Sequence, residues 1–142
     1  MKLFSTSLNY LSIASWNVNG LKSQLYDNKS ICPDFIKEIE SHHIVSLLET
    51  HCAPNEYFQI DGYVVHQSNR QKSGNVSHGG ISVLVKKEIS CGIKIHRSNN
   101  NDILWLQLKK EHFNLLNDVY LGAVYMSPIN SSYTKKLQYD TT

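Results

Sequence analysis

The stretch Ile44-Val45-Ser46-Leu47-Leu48-Glu49-Thr50-His51 decides the fold that we predict for this chain. Its first five residues are nearly all apolar, which is typical of a strand buried inside a sheet. The strand ends abruptly at the carboxylate of Glu49. Burying a carboxylate is costly unless a cation or a hydrogen-bond donor meets it. Taken alone, the octet also fits an ordinary strand that runs out into a polar loop.

A strand and a helix precede this stretch and complete a β–α–β unit. Residues 11–18 carry apolar side chains on both faces, which predicts a strand inside a sheet that is covered on both sides. Pro33 fits the first turn of a helix that ends near His42-His43, and we interpret the histidine pair as a helix cap rather than a metal site.

A β–α–β unit implies parallel pairing of its two strands. The carboxyl ends of parallel strands meet at one edge of the sheet, so we expect Asn17 and Glu49 to be neighbours there. Ligands of open α/β sheets bind at that edge. The sequence therefore predicts a functional site around these two side chains.

Downstream of this unit the pattern predicts strands joined by short polar turns, at residues 63–66, 81–85, 89–96, 103–108 and 115–125. Such a succession favours an antiparallel meander in the same layered structure. Gly92 would mark a bulge, residues 69–78 would form a mobile loop, and Trp16 and Trp105 would be core aromatics. The fold class predicted is α/β (α+β).

Composition bounds the chain to one domain or part of one. It has 142 residues, of which 41 % are hydrophobic and 18 % charged, as in soluble globular proteins. The net charge of +2 permits a polyanionic partner without arguing for one. Three distant cysteines, no leader-like segment and no run that could span a bilayer predict free thiols in an intracellular protein, nuclear or cytoplasmic, that is neither secreted nor bound to a membrane.

Four segments, in this order, resemble the endonuclease/exonuclease/phosphatase superfamily: Ser15–Leu21, Leu48–His51, Gly79–Val85 and Gly122–Pro128. Within the superfamily the chain is most similar to the apurinic-type endonuclease domain of non-LTR (LINE-type) retrotransposons, and only to the N-terminal half of that domain. The triplet Glu-Thr-His and the stretch Tyr-x-x-Pro-x-Asn-Ser-Ser carry this closer similarity.

The resemblance implies a deoxyribonuclease I-like fold, a four-layered sandwich of two sheets flanked by helices, here incomplete. The truncated domain would span residues 11–135, between a frayed N-terminus (1–10) and a polar tail (136–142). The implied activity is hydrolysis of phosphodiesters with Mg²⁺ (or Mn²⁺), most closely the nicking of target DNA by a retrotransposon-type endonuclease.

Matched positions carry the family's site residues onto this chain. Glu49 would be the metal-binding carboxylate, Asn17 would hydrogen-bond the catalytic network, and Tyr125 would contact the phosphate. Mg²⁺ prefers oxygen ligands and needs only one or two protein carboxylates, which suits this set. The substrate-binding residues implied are Asn19, His51 and Asn130.

The sequence also departs from the family, because it contains neither the Asp-x-Asn nor the Ser-Asp-His segment that activates the attacking water. We therefore expect an N-terminal fragment that is inactive alone, with exposed apolar sheet surface. Its expected partners are DNA, the missing C-terminal half and a downstream reverse transcriptase. The alternative is a non-catalytic relic, or the product of a wrong gene prediction, with at most weak nucleic-acid binding.

Overall fold

The structure, a computed structural model, describes residues 9–22 and 28–129, which form two sheets and short helices. The first sheet contains β1 (Ile13–Asn17), β2 (Ile44–Leu48), β3 (Tyr63–Ser68) and β4 (Ile81–Lys86), in the order β1-β2-β4-β3. The second contains β5 (Ile93–Arg97), β6 (Ile103–Leu108) and β7 (Val119–Val124), in chain order. The helices are α1 (Pro33–Glu40), α2 (Lys87–Ser90) and α3 (Lys110–Phe113), with a 3-10 turn at Lys29–Ile31.

The predicted β–α–β unit is confirmed. Strands β1 and β2 are parallel, with Asn17 opposite Leu48, and α1 connects them. The next strand of the sheet, β4, runs antiparallel to both β2 and β3. Residues 81–85 of β4 are all buried, because both faces of this central strand are covered.

Two apolar cores flank the first sheet. On one face, Phe35 and Ile39 of α1 pack with Val45 and Leu47 of β2. On the other face, side chains of β4 pack against those of β6, and Leu104 and Leu106 are almost fully buried. The described residues thus form three of the predicted layers, in the order helix, sheet, sheet, and the mixed α/β fold class is confirmed.

The strand predicted at residues 89–96 is wrong in its first half. Residues 87–90 form the single-turn helix α2, whose Ile89 is fully buried, and β5 begins only at Ile93. This turn carries the chain from the first sheet to the second. Gly92 is not a bulge: it lies in the turn after α2, where a Cβ would collide with the His112 ring.

The last predicted strand, 115–125, begins four residues too early. Residues 115–118 form a turn, and Leu116 is 95 % exposed. Asp118 fixes this turn, because its carboxylate accepts from the Lys110 backbone N–H (2.9 Å) and from the Gln107 side-chain amide (2.7 Å). The apolar residues here therefore do not belong to the ladder.

The prediction that both tryptophans are core residues is wrong. Trp16 and Trp105 are each 41 % exposed. Along β6, Leu104, Leu106 and Leu108 alternate into the core, so Trp105 points to the opposite face of the sheet. Trp16 lies on the edge strand β1 and covers Phe35, with the ring centroids 4.9 Å apart.

The histidine pair after α1 anchors the start of β1 rather than capping the helix. Ser41 is the C-cap residue. His43 is buried and its Nδ1 accepts from the Ser12 N–H at 3.0 Å, while His42 Nδ1 lies 2.7 Å from the Ser12 hydroxyl. The three cysteines are free thiols, as predicted.

Both sheets present an open edge strand. In β1 and β7, Ile13 is 48 % exposed, Tyr120 56 % and Val124 42 %. This agrees with the expected exposure of apolar sheet surface. None of the helices in the described ranges has the length and hydropathy of a bilayer span.

Candidate functional site

The tips of β1 and β2 stay joined beyond the last ladder pair. Val18 N–H donates to the Leu48 carbonyl (2.9 Å), Gly20 N–H to the Glu49 carbonyl (2.6 Å), and Leu21 N–H to the Thr50 carbonyl (3.0 Å). These bonds hold the two segments that carry the predicted site residues side by side. The expectation that Asn17 and Glu49 share one edge of the sheet is met.

Three of the predicted site residues adopt the left-handed backbone conformation. The φ angles are +46° at Asn19, +55° at Glu49 and +54° at His51. In the described part of the chain, one other residue besides glycine does so, Asn114. Such conformations cost about 1–3 kcal/mol each and cluster at functional sites, where the surrounding structure enforces them.

Glu49 and His51 lie close together at the tip of β2. Glu49 Oε2 is 3.9 Å from His51 Nε2, and the side chains are 21 % and 32 % exposed. Burial lowers the pKa of His51, and although the Glu49 charge opposes this, His78 and Lys29 lower it further. The imidazole is therefore neutral at pH 7, so the contact is a polar one and not an ion pair.

Tyr125 reaches the same place from the second sheet. It follows β7, and its backbone N–H donates to the Asp102 carbonyl at 2.9 Å. Burial raises the pKa of the Tyr125 hydroxyl, and a hydrogen bond to the Glu49 carboxylate together with the charge of that group raises it further. The phenol stays protonated at neutral pH, and the Glu49 carboxylate is near enough to raise its pKa. The two sheets thus meet at the candidate site.

The other predicted site residues are the asparagines Asn17, Asn19 and Asn130. Asn17 and Asn19 are exposed, and Asn17 Oδ1 accepts from the Asn19 backbone N–H at 3.0 Å, as in an Asx turn. The side-chain oxygen of Asn17 is therefore occupied, and its side-chain N–H groups remain as donors for a ligand. Asn130 lies outside the described residues.

Residues that the sequence did not reveal as part of the site pack against Glu49 and Tyr125. Thr50 is 1 % exposed, and a Cβ on Gly80 would lie 2.6 Å from its Oγ1. A Cβ on Gly79 would likewise lie 2.7 Å from Nε of Arg70. The one sign of this support in the sequence is the Gly79-Gly80 pair, which begins one of the four segments that resemble the family.

The donor set suits a hard cation that keeps much of its water. The described residues hold no group of three or more His, Cys, Asp or Glu side chains that could bind a metal ion. Glu49 supplies one partly exposed carboxylate at the edge of the sheet that also carries Asn17. Mg²⁺ is bound in proteins through one or two carboxylates and several waters, so the residues fit such an ion as one side of its coordination shell.

No protein-family model matches the sequence, and no curated protein matches it either. Among solved structures, the chain is similar to an endonuclease/exonuclease/phosphatase family protein from Leptotrichia buccalis C-1013-b, with a TM-score of 0.53 and 14 % sequence identity. The match covers 94 % of this chain and 62 % of that chain, so the chain spans less than two thirds of its length. At this identity the likeness shows the fold: the chain folds like a protein of the endonuclease/exonuclease/phosphatase family.

Proposed function

We propose that this chain carries the metal-binding side of a phosphodiesterase site, and that its substrate is DNA, nicked as by the endonuclease domain of a retrotransposon. The observation that carries the proposal is the meeting of Glu49 and Tyr125 from different sheets, with Glu49 in a left-handed conformation. Strained backbone conformations cluster at functional sites, so a strained carboxylate that faces a tyrosine from the other sheet favours a ligand site.

Each residue has a defined task in this proposal. Glu49 would hold the divalent ion, which would supply polarisation of a phosphoryl oxygen and stabilisation of charge on the leaving oxygen. Tyr125, kept protonated by burial and by Glu49, donates a hydrogen bond to a phosphate oxygen. Asn17 donates through its amide, because its carbonyl is engaged by Asn19.

Activation of the attacking water is not provided by the residues of this sequence. It contains no Asp-x-Asn and no Ser-Asp-His segment, and general acid and base groups contribute about 100- to 10,000-fold each. We therefore propose that the 142-residue chain binds metal and DNA but hydrolyses little by itself, and that a partner segment, within a longer protein that also carries a reverse transcriptase, supplies the water-activating groups.

Nicking of supercoiled plasmid tests the proposal. In the presence of Mg²⁺, the 142-residue chain should nick little, and a form extended by coding sequence that supplies both segments should nick readily. Glu49→Ala should abolish that activity, because it removes the carboxylate assigned to the metal. Glu88→Ala, which alters an exposed carboxylate on α2, is the matched control and should leave it intact. Equal nicking by the Glu49→Ala and parent proteins would refute the assignment.

The absence of those two segments also supports a second candidate, a non-catalytic relic that binds nucleic acid weakly. The coding DNA downstream of Thr142 discriminates between them. An open frame that leads into Asp-x-Asn, Ser-Asp-His and a reverse transcriptase favours the nuclease, whereas a stop codon or a frameshift favours the relic. Mg²⁺-dependent nicking by the chain alone, silenced by EDTA, would rule out the relic.

A further inference from the structure

Arg70 forms a buried clamp between the two sheets next to the candidate site. It follows β3 of the first sheet, and its guanidinium donates to both oxygens of Asp102, which precedes β6 of the second: Nε to Oδ1 and Nη2 to Oδ2, each at 2.5 Å. The side chains are only 11 % and 14 % exposed. A bidentate pair of this kind fixes orientation as well as distance.

The clamp also holds Tyr125 directly. The Arg70 guanidinium carbon lies 5.1 Å from the centroid of the Tyr125 ring, and Nη2 donates to the hydroxyl of Ser127 at 3.0 Å. Asp102 contributes from the other side, since its carbonyl accepts from the Tyr125 N–H. The Arg70–Asp102 ion pair therefore contacts the ring of Tyr125, its backbone and the loop that follows it.

Gly79 leaves the space that this clamp occupies. Its φ is +60°, and a Cβ there would lie 2.7–2.8 Å from the Nε, Cδ and Cζ atoms of Arg70. The predicted mobile loop 69–78 is thus anchored at Arg70. Asp102 and Ser127 accept from three of its five N–H groups, and the side chain is only 11 % exposed, so its geometry suits a supporting role better than direct contact with a ligand.

We propose that Arg70, oriented by Asp102, is a positioning residue that sets Tyr125 against Glu49. Its importance for catalysis rests on the proposed function, but the positioning itself does not. Glu49 directly follows β2 of the first sheet and Tyr125 directly follows β7 of the second, so their separation depends on how the two sheets are held together at this edge. The Arg70–Asp102 pair is a buried, bidentate fastening that touches Tyr125.

The test is a chemical-shift cycle on the metal-free, 142-residue chain at pH 7. The tyrosine rings are labelled with ¹³C, and the Tyr125 signal is assigned by its loss in Tyr125→Phe. In the parent chain, Glu49→Gln should shift this signal, because it removes the negative charge that acts on the phenol. In an Arg70→Met background most of this response should be lost, while the amide spectrum shows that the chain remains folded.

Two further variants keep the test decisive. Asp102→Asn preserves the shape of the partner and should weaken the same response even if Arg70→Met does not fold. Arg97→Met is the matched control: the other arginine of the sequence is exposed and donates to the Gln67 carbonyl at 2.6 Å, so the response should persist. An undiminished response in the Arg70 or Asp102 background, or no response in the parent chain, would overturn the proposal.

Failure of the proposed function appears in a different measurement. If Mn²⁺ does not broaden the signals around Glu49, the metal site is refuted whatever the outcome of the cycle. If Mn²⁺ binds but the cycle shows no dependence on Arg70, only the positioning role is refuted.

Discussion

The absence of a side chain at Gly80 allows Thr50 to pack next to the candidate site. Thr50, between Glu49 and His51, has a buried hydroxyl oxygen with no hydrogen-bond partner in the described structure, and the missing side chain of Gly80 makes room for it. The Gly80 carbonyl also accepts from the Thr50 N–H at 3.3 Å. The left-handed conformations on either side of Thr50 are therefore supported by this contact.

We predict that Gly80→Ala destabilises the protein by about 2–4 kcal/mol, since it adds a clash with Thr50 Oγ1 to the strain of a φ of +89°. Gly62→Ala is the matched control, because Gly62 has a φ of +82° and nothing within 4 Å of the added Cβ. It should cost only about 1 kcal/mol. Urea unfolding of both variants measures the difference, and equal losses would contradict the role given to Thr50.

At the scale of elements, β3 and α1 are joined by one buried hydroxyl. Tyr63 donates toward the carbonyls of Ile39 and His42, at 2.7 and 2.6 Å. The Ile39 carbonyl also accepts from the His42 backbone N–H at 3.0 Å, so the Tyr63 hydroxyl reinforces the turn that ends α1. Burial raises the pKa of Tyr63 to about 12, with Glu40 and Glu88 adding to the shift.

Tyr63→Phe should lower the free energy of unfolding by about 1–2 kcal/mol at pH 7. Because the folded pKa lies above the value of about 10 expected in the unfolded chain, the hydroxyl stabilises fully below pH 10 and progressively less toward pH 12. The difference in the free energy of unfolding between the parent and Tyr63→Phe, measured by denaturant titration, should therefore become smaller from pH 10 to pH 12. Tyr57→Phe, at a side chain that is 75 % exposed, should change nothing, and a gap that widens with pH would be incompatible with this assignment.

Elements with strong periodicity could be predicted from the sequence, and those decided by tertiary contacts could not. The β–α–β unit and β4 were predicted within a residue or two, because their patterns are long and apolar. The helix α2 and the late start of β7 were not, since a buried Ile89 and the polar anchor Asp118 override the local pattern. Trp105 was misplaced because a continuous apolar run hides the alternation between the two faces of a half-buried sheet.

The same distinction applies to the residues of the candidate site. Strand topology brought Asn17 and Glu49 together, and the family resemblance added His51 and Tyr125. Arg70 was missed because it lies in a polar segment 32 residues from Asp102, and sequence spacing carries no sign of such a pair.

On one side of the molecule, an edge strand of each sheet borders an apolar groove. Strands β1 and β7 end the two sheets without a further strand among the described residues, and Ile13, Leu121 and Val124 line the groove between them. Exposed apolar edges are templates for pairing with another chain.

We predict that the 142-residue chain self-associates as its concentration rises, and that the double substitution of Ile13→Lys and Val124→Lys suppresses this by placing charges on both edges. Sedimentation velocity measures the association, and circular dichroism should show an unchanged fold. Val76→Lys, at an exposed loop position, is the control and should have no effect. A parent chain that stays monomeric and unfolds cooperatively at high concentration would argue against an unsatisfied edge.

Mn²⁺ titration followed by NMR tests whether Glu49 holds a divalent cation at the meeting point of the two sheets. At low Mn²⁺, the amide signals of Asn17, Glu49 and Tyr125 should broaden before those of the rest of the chain. Glu49→Gln should remove this selectivity, and the control Glu88→Gln should keep it. Broadening that is absent, scattered over the surface, or unchanged in Glu49→Gln would contradict the assignment of the cation to Glu49.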